Sequence, residues 1–146
     1  MSSDPDFDTV LSVYFSLVID SWDLGMFITC SGLGMDMGVT TIEEGGGGMN
    51  VFPRRGRVKY PNLQVTRPIG PDTHKTMAWL QASVNATSLS TAELTALSPS
   101  MTPIFTWQLS GVLPAKWTGP SFDAGNPQQA TETLELAYGA IMLGQA

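Results

Sequence analysis

Strict alternation of apolar and polar residues is the feature that most restricts this chain. Val13, Phe15, Leu17 and Ile19 alternate with Ser12, Tyr14, Ser16 and Val18. Phe105, Trp107 and Leu109 alternate with Thr106, Gln108 and Ser110. Leu134, Leu136 and Tyr138 alternate with Thr133, Glu135 and Ala137. A period of two sends successive side chains to opposite sides of a pleated backbone, so each run predicts a half-buried strand. Arg57 to Arg67 is also strand-like, with Leu63 and Val65 opposite Asn62, Gln64 and Thr66. Ala115 to Thr118 reads as a short strand of its own after Pro114, and Thr91 to Leu97 is open between strand and helix.

One segment has a helical period instead. Pro68-Ile69-Gly70-Pro71 is a stop, Asp72 stands at an N-cap position, and Thr73 to about Val84 follows with Met77, Leu80 and Val84 on one face. The sum is a mainly β fold, a two-sheet sandwich or barrel of about seven strands with one flanking α-helix. At 146 residues without an internal repeat or linker, residues 1–146 read as a single domain. Residues 1–10 form an N-terminal arm.

Gly45 to Gly48 interrupts the strand pattern. Four glycines are a poor strand interior, so residues 43–53 read as a long glycine-rich loop, with Pro53 ending the brief apolar piece that follows it. A phosphate-binding reading fails, because no Lys-Ser/Thr pair opens a helix after the glycines.

Charge narrows the function. Only 14% of residues are charged, against a typical ~25%. With 42% hydrophobic residues, this is a sparse surface for a lone soluble monomer. The charges are also sorted. Residues 1–44 carry eight acids and no Lys or Arg; residues 45–75 carry Arg54, Arg55, Arg57, Lys59, Arg67 and Lys75 against Asp72. The basic stretch is expected to meet the acidic head, within or between subunits. A net charge of −6 disfavours nucleic-acid binding by the whole chain.

Chemistry is sparse as well. One cysteine, Cys30, excludes an internal disulfide, and with one histidine, His74, it is too little for a His/Cys zinc site. No second histidine serves Ser31 or Cys30 as a base. Glu43 and Glu44 are adjacent and face opposite sides of a strand, so they make no acid/base pair. No catalytic residue, metal or cofactor is expected. No apolar run reaches the ~18 residues of a membrane span. The first residues are acidic rather than basic, so no secretion signal is expected.

Four segments, in order, carry a resemblance. They are Phe27-Ile28-Thr29-Cys30-Ser31-Gly32-Leu33; Glu44-Gly45-Gly46 followed by Gly56-Arg57-Val58-Lys59-Tyr60-Pro61-Asn62-Leu63-Gln64-Val65-Thr66-Arg67; Trp107-Gln108-Leu109 through Pro114-Ala115-Lys116-Trp117; and Glu132 to Tyr138. Together they resemble the tail-tube proteins of contractile phages and the inner-tube proteins of phage-tail-like contractile injection systems, over roughly residues 10–140.

The resemblance implies a structural protein rather than an enzyme. Its subunits form hexameric rings, joined by a continuous inner β-barrel and stacked into a rigid tube. The implied partners are further copies of the chain, a contractile sheath protein, baseplate or spike and terminator proteins, and effector cargo or DNA passing without tight binding. No membrane insertion is implied, and the implied location is an assembled particle made in the cytoplasm.

On this reading Glu43, Glu44, Gly45, Gly46, Met49, Phe52, Arg54, Arg55 and Arg57 are expected at a subunit interface. Asn62, Gln64, Thr66, Thr131 and Thr133 are expected to face the lumen or solvent. The rival reading is a small β-barrel ligand-binding protein of the flavin split-barrel type, which needs a pocket with convergent polar groups.

Overall fold

The computed structural model describes residues 13–43, 51–121, 125 and 130–143. Ten strands and one helix lie among them, all the strands pairing antiparallel. The strands are β1 (Tyr14–Ile19), β2 (Trp22–Phe27), β3 (Thr29–Ser31), β4 (Val39–Glu43), β5 (Val51–Arg55), β6 (Leu63–Pro68), β7 (Ser90–Leu97), β8 (Pro103–Thr118), β9 (Thr131–Ala137) and β10 (Ala140–Leu143). The helix α1 (Thr73–Val84) lies between β6 and β7. The count exceeds seven because short strands such as β3 and β10 are too brief to show a period.

The main sheet runs β2-β1-β7-β8-β9-β6-β3, with β10 added to β8. Its 16-residue strand β8 joins two halves. Residues up to Val112 pair with β7, and Leu113 to Thr118 pair with β9. Gly111 stands at the change of partner with φ +66°, a conformation that a Cβ would strain. Pro114 therefore does not divide two strands; it lies inside one, beside a register shift in the β8–β9 ladder. At the far side the chain passes from β2 to β3 through Ile28, whose N–H donates to the Thr66 carbonyl oxygen at 2.9 Å. The two halves thus face one another as a sandwich.

Between them lies one core. Leu17, Ile19, Leu24, Phe27, Ala92, Leu94 and Leu109 come from one half, Leu63, Val65, Leu134 and Leu136 from the other. The runs ending in Leu17–Ile19 and Leu134–Tyr138 bury the faces their periods predict, whereas of Phe105, Trp107 and Leu109 only Leu109 is buried and Phe105 is exposed. Thr91 to Leu97 resolves as strand. Arg57 to Asn62 does not: only Leu63 onward is strand, preceded by an isolated bridge between Asp36 and Lys59.

Helix α1 begins at Thr73 and ends at Val84, as its period predicts, and Leu80 of the predicted face packs against the core, but the inward face is rotated towards Thr76 and Trp79. Thr76 and Trp79 are buried, whereas Val84 is 79% exposed. Trp79 supplies the largest fully buried side chain and fills the space the sheets leave. Asp72 makes no side-chain cap; its carboxylate instead pairs with Lys75 at 3.2 Å. No helix among the described residues is long and apolar enough to cross a membrane.

The strands β4 and β5 form a separate two-stranded sheet. Their register, from Val39 opposite Arg55 to Glu43 opposite Val51, makes a hairpin. Of the segment expected as a loop over residues 43–53, Glu43 and Val51 to Pro53 are strand, and residues 44–50 lie outside the described residues. Pro53 sits inside β5 opposite Thr41 and does not end it, because both edges of a two-stranded sheet are free of further partners. Glu44, Gly45, Gly46 and Met49, like the arm at 1–10, lie outside the described residues.

Candidate functional site

No group of three or more His, Cys, Asp or Glu side chains able to hold a metal occurs among the described residues. His74 is exposed on α1. Burial pushes the Cys30 thiol up from 9.0 to about 11, so it stays protonated at neutral pH and packs against the core as a small apolar group. The features that stand out are a buried polar knot, two polar sheet faces and the hairpin.

The knot is centred on Arg67, which is 4% exposed. Its Nε donates to Glu132 Oε2 at 3.1 Å. One terminal nitrogen donates to the carbonyl oxygens of Leu24 and Met26, the other to the Asp72 carbonyl oxygen and the Thr76 hydroxyl. The guanidinium carbon lies 4.1 Å from the centre of the Phe27 ring. Glu132, fully buried, also accepts from Thr73 Oγ1 and from Trp117 Nε1 at 3.0 Å. A charge this deep is tolerated only when paired and hydrogen-bonded, and no buried described side-chain polar atom lacks a partner. The knot ties β2, β6, β8, β9 and the first turn of α1 together.

Arg67 thus meets an acid from the last third of the chain, not from the acidic head. Periodicity places both residues on the core-facing side of their strands, where Arg67 continues Leu63 and Val65, and Glu132 precedes Leu134 and Leu136. That pattern was the available signal for a buried pair.

Tyr138 fixes a second junction. Its hydroxyl lies 3.2 Å from the carbonyl oxygens of both Gly32 and Gly34 and accepts from the Gly34 N–H at 3.3 Å. At Gly32, φ is +84° and a Cβ would fall 1.9 Å from the Asn62 carbonyl oxygen, so only glycine fits the turn. Burial raises the Tyr138 phenol above its ordinary value.

The outward faces carry small polar side chains in rows. Thr29, Thr66, Thr133 and Thr118 stand opposite one another across β3, β6, β9 and β8. The Thr66 and Thr133 hydroxyls are 3.1 Å apart. Asn62 donates to Glu135 at 3.1 Å, Gln64 is exposed, and Thr131 lies opposite Pro68. The five residues Asn62, Gln64, Thr66, Thr131 and Thr133 therefore gather on this side of the β6–β9 pair. A similar row, Ser16, Thr95 and Thr106, crosses β1, β7 and β8, with the two threonine hydroxyls 3.0 Å apart.

The hairpin has the opposite character. Its base is held by the Asp36–Lys59 backbone pair and by the Gly56 N–H, which donates to the Gly38 carbonyl oxygen at 2.7 Å. Above it, Val39 is 69% and Phe52 50% exposed, with Met35, Met37 and Val58 exposed nearby. Arg54, Arg55 and Arg57 are present on or below the stem, and Arg57 and both stem arginines form no ion pair with any described acid. Glu43 pairs with Val51 through the backbone. An open cleft of about 250 Å³ is lined by Met37, Gly38, Val39, Pro53, Arg54 and Arg55. That is below the ~300–1,000 Å³ usual for ligand pockets, and its lining is largely apolar.

Residues 11–141 match the family model described as T4-like virus tail tube protein gp19. This chain belongs to that tail tube family. Solved structures carry the same fold. The tail tube chain is similar to a chain of the PVC sheath–tube complex of an extracellular contractile injection system in the extended state, with a TM-score of 0.76 and 18% identity over 100% of both chains. It is similar to a chain of the anti-feeding prophage baseplate, with a TM-score of 0.69 and 24% identity over 97% of this chain and 96% of that one. A chain of the PVC sheath/tube terminator gives a TM-score of 0.73 and 20% identity, over 99% of both. A search by sequence against curated proteins finds no significant match.

Proposed function

We propose that this tail tube protein is the inner-tube subunit of a contractile injection machine, forming hexameric rings that stack into a hollow tube. The family match across residues 11–141 carries the reading. The structure supports it physically. A hairpin outside the main sheet, with exposed apolar and cationic side chains, is costly on a monomer and useful on an assembly. Subunits that join their sheet edges into one inner barrel also remove the open edges that invite misassembly.

The tube serves as a conduit and does no catalysis. Asn62, Gln64, Thr66, Thr131 and Thr133 face the lumen or solvent, where a neutral hydroxyl and amide surface lets effector or DNA pass without adhering. Glu43, Glu44, Gly45, Gly46, Met49, Phe52, Arg54, Arg55 and Arg57 belong to subunit contacts. Sheath, baseplate and terminator proteins are the partners, a reading supported by the similar chains' places in a sheath–tube complex, a baseplate and a sheath/tube terminator. The protein acts as part of an assembled particle.

Negative-stain microscopy of the purified protein tests this. Six-membered rings and stacked tubes are expected. A chain that stays monomeric at millimolar concentration overturns the proposal, and a yellow, flavin-absorbing monomer favours the split-barrel reading instead.

A further inference from the structure

The β4–β5 cleft combines an apolar floor with two arginines, and another surface of the same chain carries the complementary set. The β1–β2 turn, Asp20-Ser21-Trp22-Asp23, presents an indole that is 38% exposed between two exposed carboxylates. The turn is held rigid. Asp20 sits at φ +53°, its N–H donates to the Thr91 carbonyl oxygen at 2.8 Å, and its Oδ1 accepts from the Thr91 N–H at 3.1 Å. Asp23 Oδ1 accepts from the Gly25 N–H at 2.9 Å. The backbone that carries Trp22 is therefore held before any partner arrives, which lowers the entropy cost of docking.

We infer that Trp22 of one copy seats in the Met37, Val39 and Pro53 cleft of a neighbouring copy, with Asp20 and Asp23 against its Arg54 and Arg55. Trp and Arg are the residue types that dominate interface energetics, especially where an aromatic anchor fills a pocket within a charged rim. Opposite charges on the two surfaces steer and register the encounter. Within one chain the two surfaces stay apart: the cleft lining does not include the turn, and the hairpin shares no strand pairing with the sheet that bears it. Turn and cleft are different surfaces, so the contact is heterologous. It propagates into a ring or a stack and does not close as a two-fold dimer. The inference rests on the tube reading and specifies one contact within it.

The test measures the critical concentration for tube formation by sedimentation and microscopy. W22A and R54E/R55E are each expected to raise it about tenfold or more. D20N/D23N keeps both carbonyl acceptors of the turn and removes only the charges, and is expected to raise it about threefold. Monomer melting should be unchanged for R54E/R55E. Where W22A fails to fold, cross-linking decides: W22C with V39C, in a C30A background, is expected to yield a disulfide-linked ladder in assembled tubes. Tubes that form at the wild-type concentration in every variant, with no ladder, overturn the contact and leave the tube reading standing. A wild-type chain that never assembles overturns both.

Discussion

Arg67 and Arg55 come from the same basic stretch, yet the fold treats them in opposite ways. Arg67 is enclosed by a carboxylate, two hydroxyl- or carbonyl-bearing segments and an aromatic face. Arg55 stands on a hairpin stem and forms no ion pair with a described acid. The first holds a subunit together from within. The second leaves a charge available for another molecule. Sequence position alone does not separate them; what does is whether the strand that bears each has a second layer packed over it.

The sharpest way to break this contrast is to remove the buried guanidinium. Arg67→Ala leaves Glu132 buried without its cation, and the expected loss is about 3–5 kcal/mol of unfolding free energy, read from urea denaturation. An unchanged urea midpoint would show that the knot does not hold the sandwich.

Tyr138→Phe is the next largest. It removes the hydroxyl shared by Gly32 and Gly34, whose backbone groups keep some access to water, with an expected loss of about 1 kcal/mol by the same measurement.

A smaller effect is expected from pH. The folded Cys30 thiol holds its proton up to about 11 against 9.0 when unfolded. Its contribution is complete below pH 9 and is lost as pH rises towards 11, because the unfolded state releases the proton first. The Tyr138 phenol, also raised, acts in the same direction. Urea midpoints should fall across that window, and Cys30→Ala should flatten the fall; identical slopes would refute the assignment to Cys30.

Smallest of all is the effect of Arg54→Ala with Arg55→Ala on the isolated subunit, expected within about 0.5 kcal/mol of wild type by urea denaturation. A large loss there would mean that the stem arginines serve the fold after all, and the comparison with Arg67 would collapse.

The parts of this fold that were legible in the sequence are those where one strand meets one core. Leu17 and Ile19, Leu134 and Leu136, Leu63 and Val65 declare their buried faces by a period of two, since burial on one side of a sheet imposes it directly. The limits of α1 were legible from Pro71 and the helical period. Its buried face was legible only at Leu80, because Trp79 and Thr76 are selected by the shape of the gap between β2, β8 and the Arg67 knot. The hairpin stem was legible only in part: the β-branched run Val39-Thr40-Thr41-Ile42 marks β4, while Val51 to Pro53 of β5 falls within the segment expected as a loop. With no core beneath it, β4 and β5 carry no clean alternation, and the glycines beside them read as loop throughout.

By itself, then, the sequence determined a mainly β domain with one helix, its principal core-facing residues, and the tail tube family through its ordered motifs. Tertiary structure alone decided that β8 runs unbroken through Pro114, that Arg67 belongs with Glu132, and that the stem arginines are left outward. The physical reason is range. Periodicity records what each residue requires of its nearest layer, whereas the partner of a buried charge is chosen by strands brought side by side from 65 residues apart.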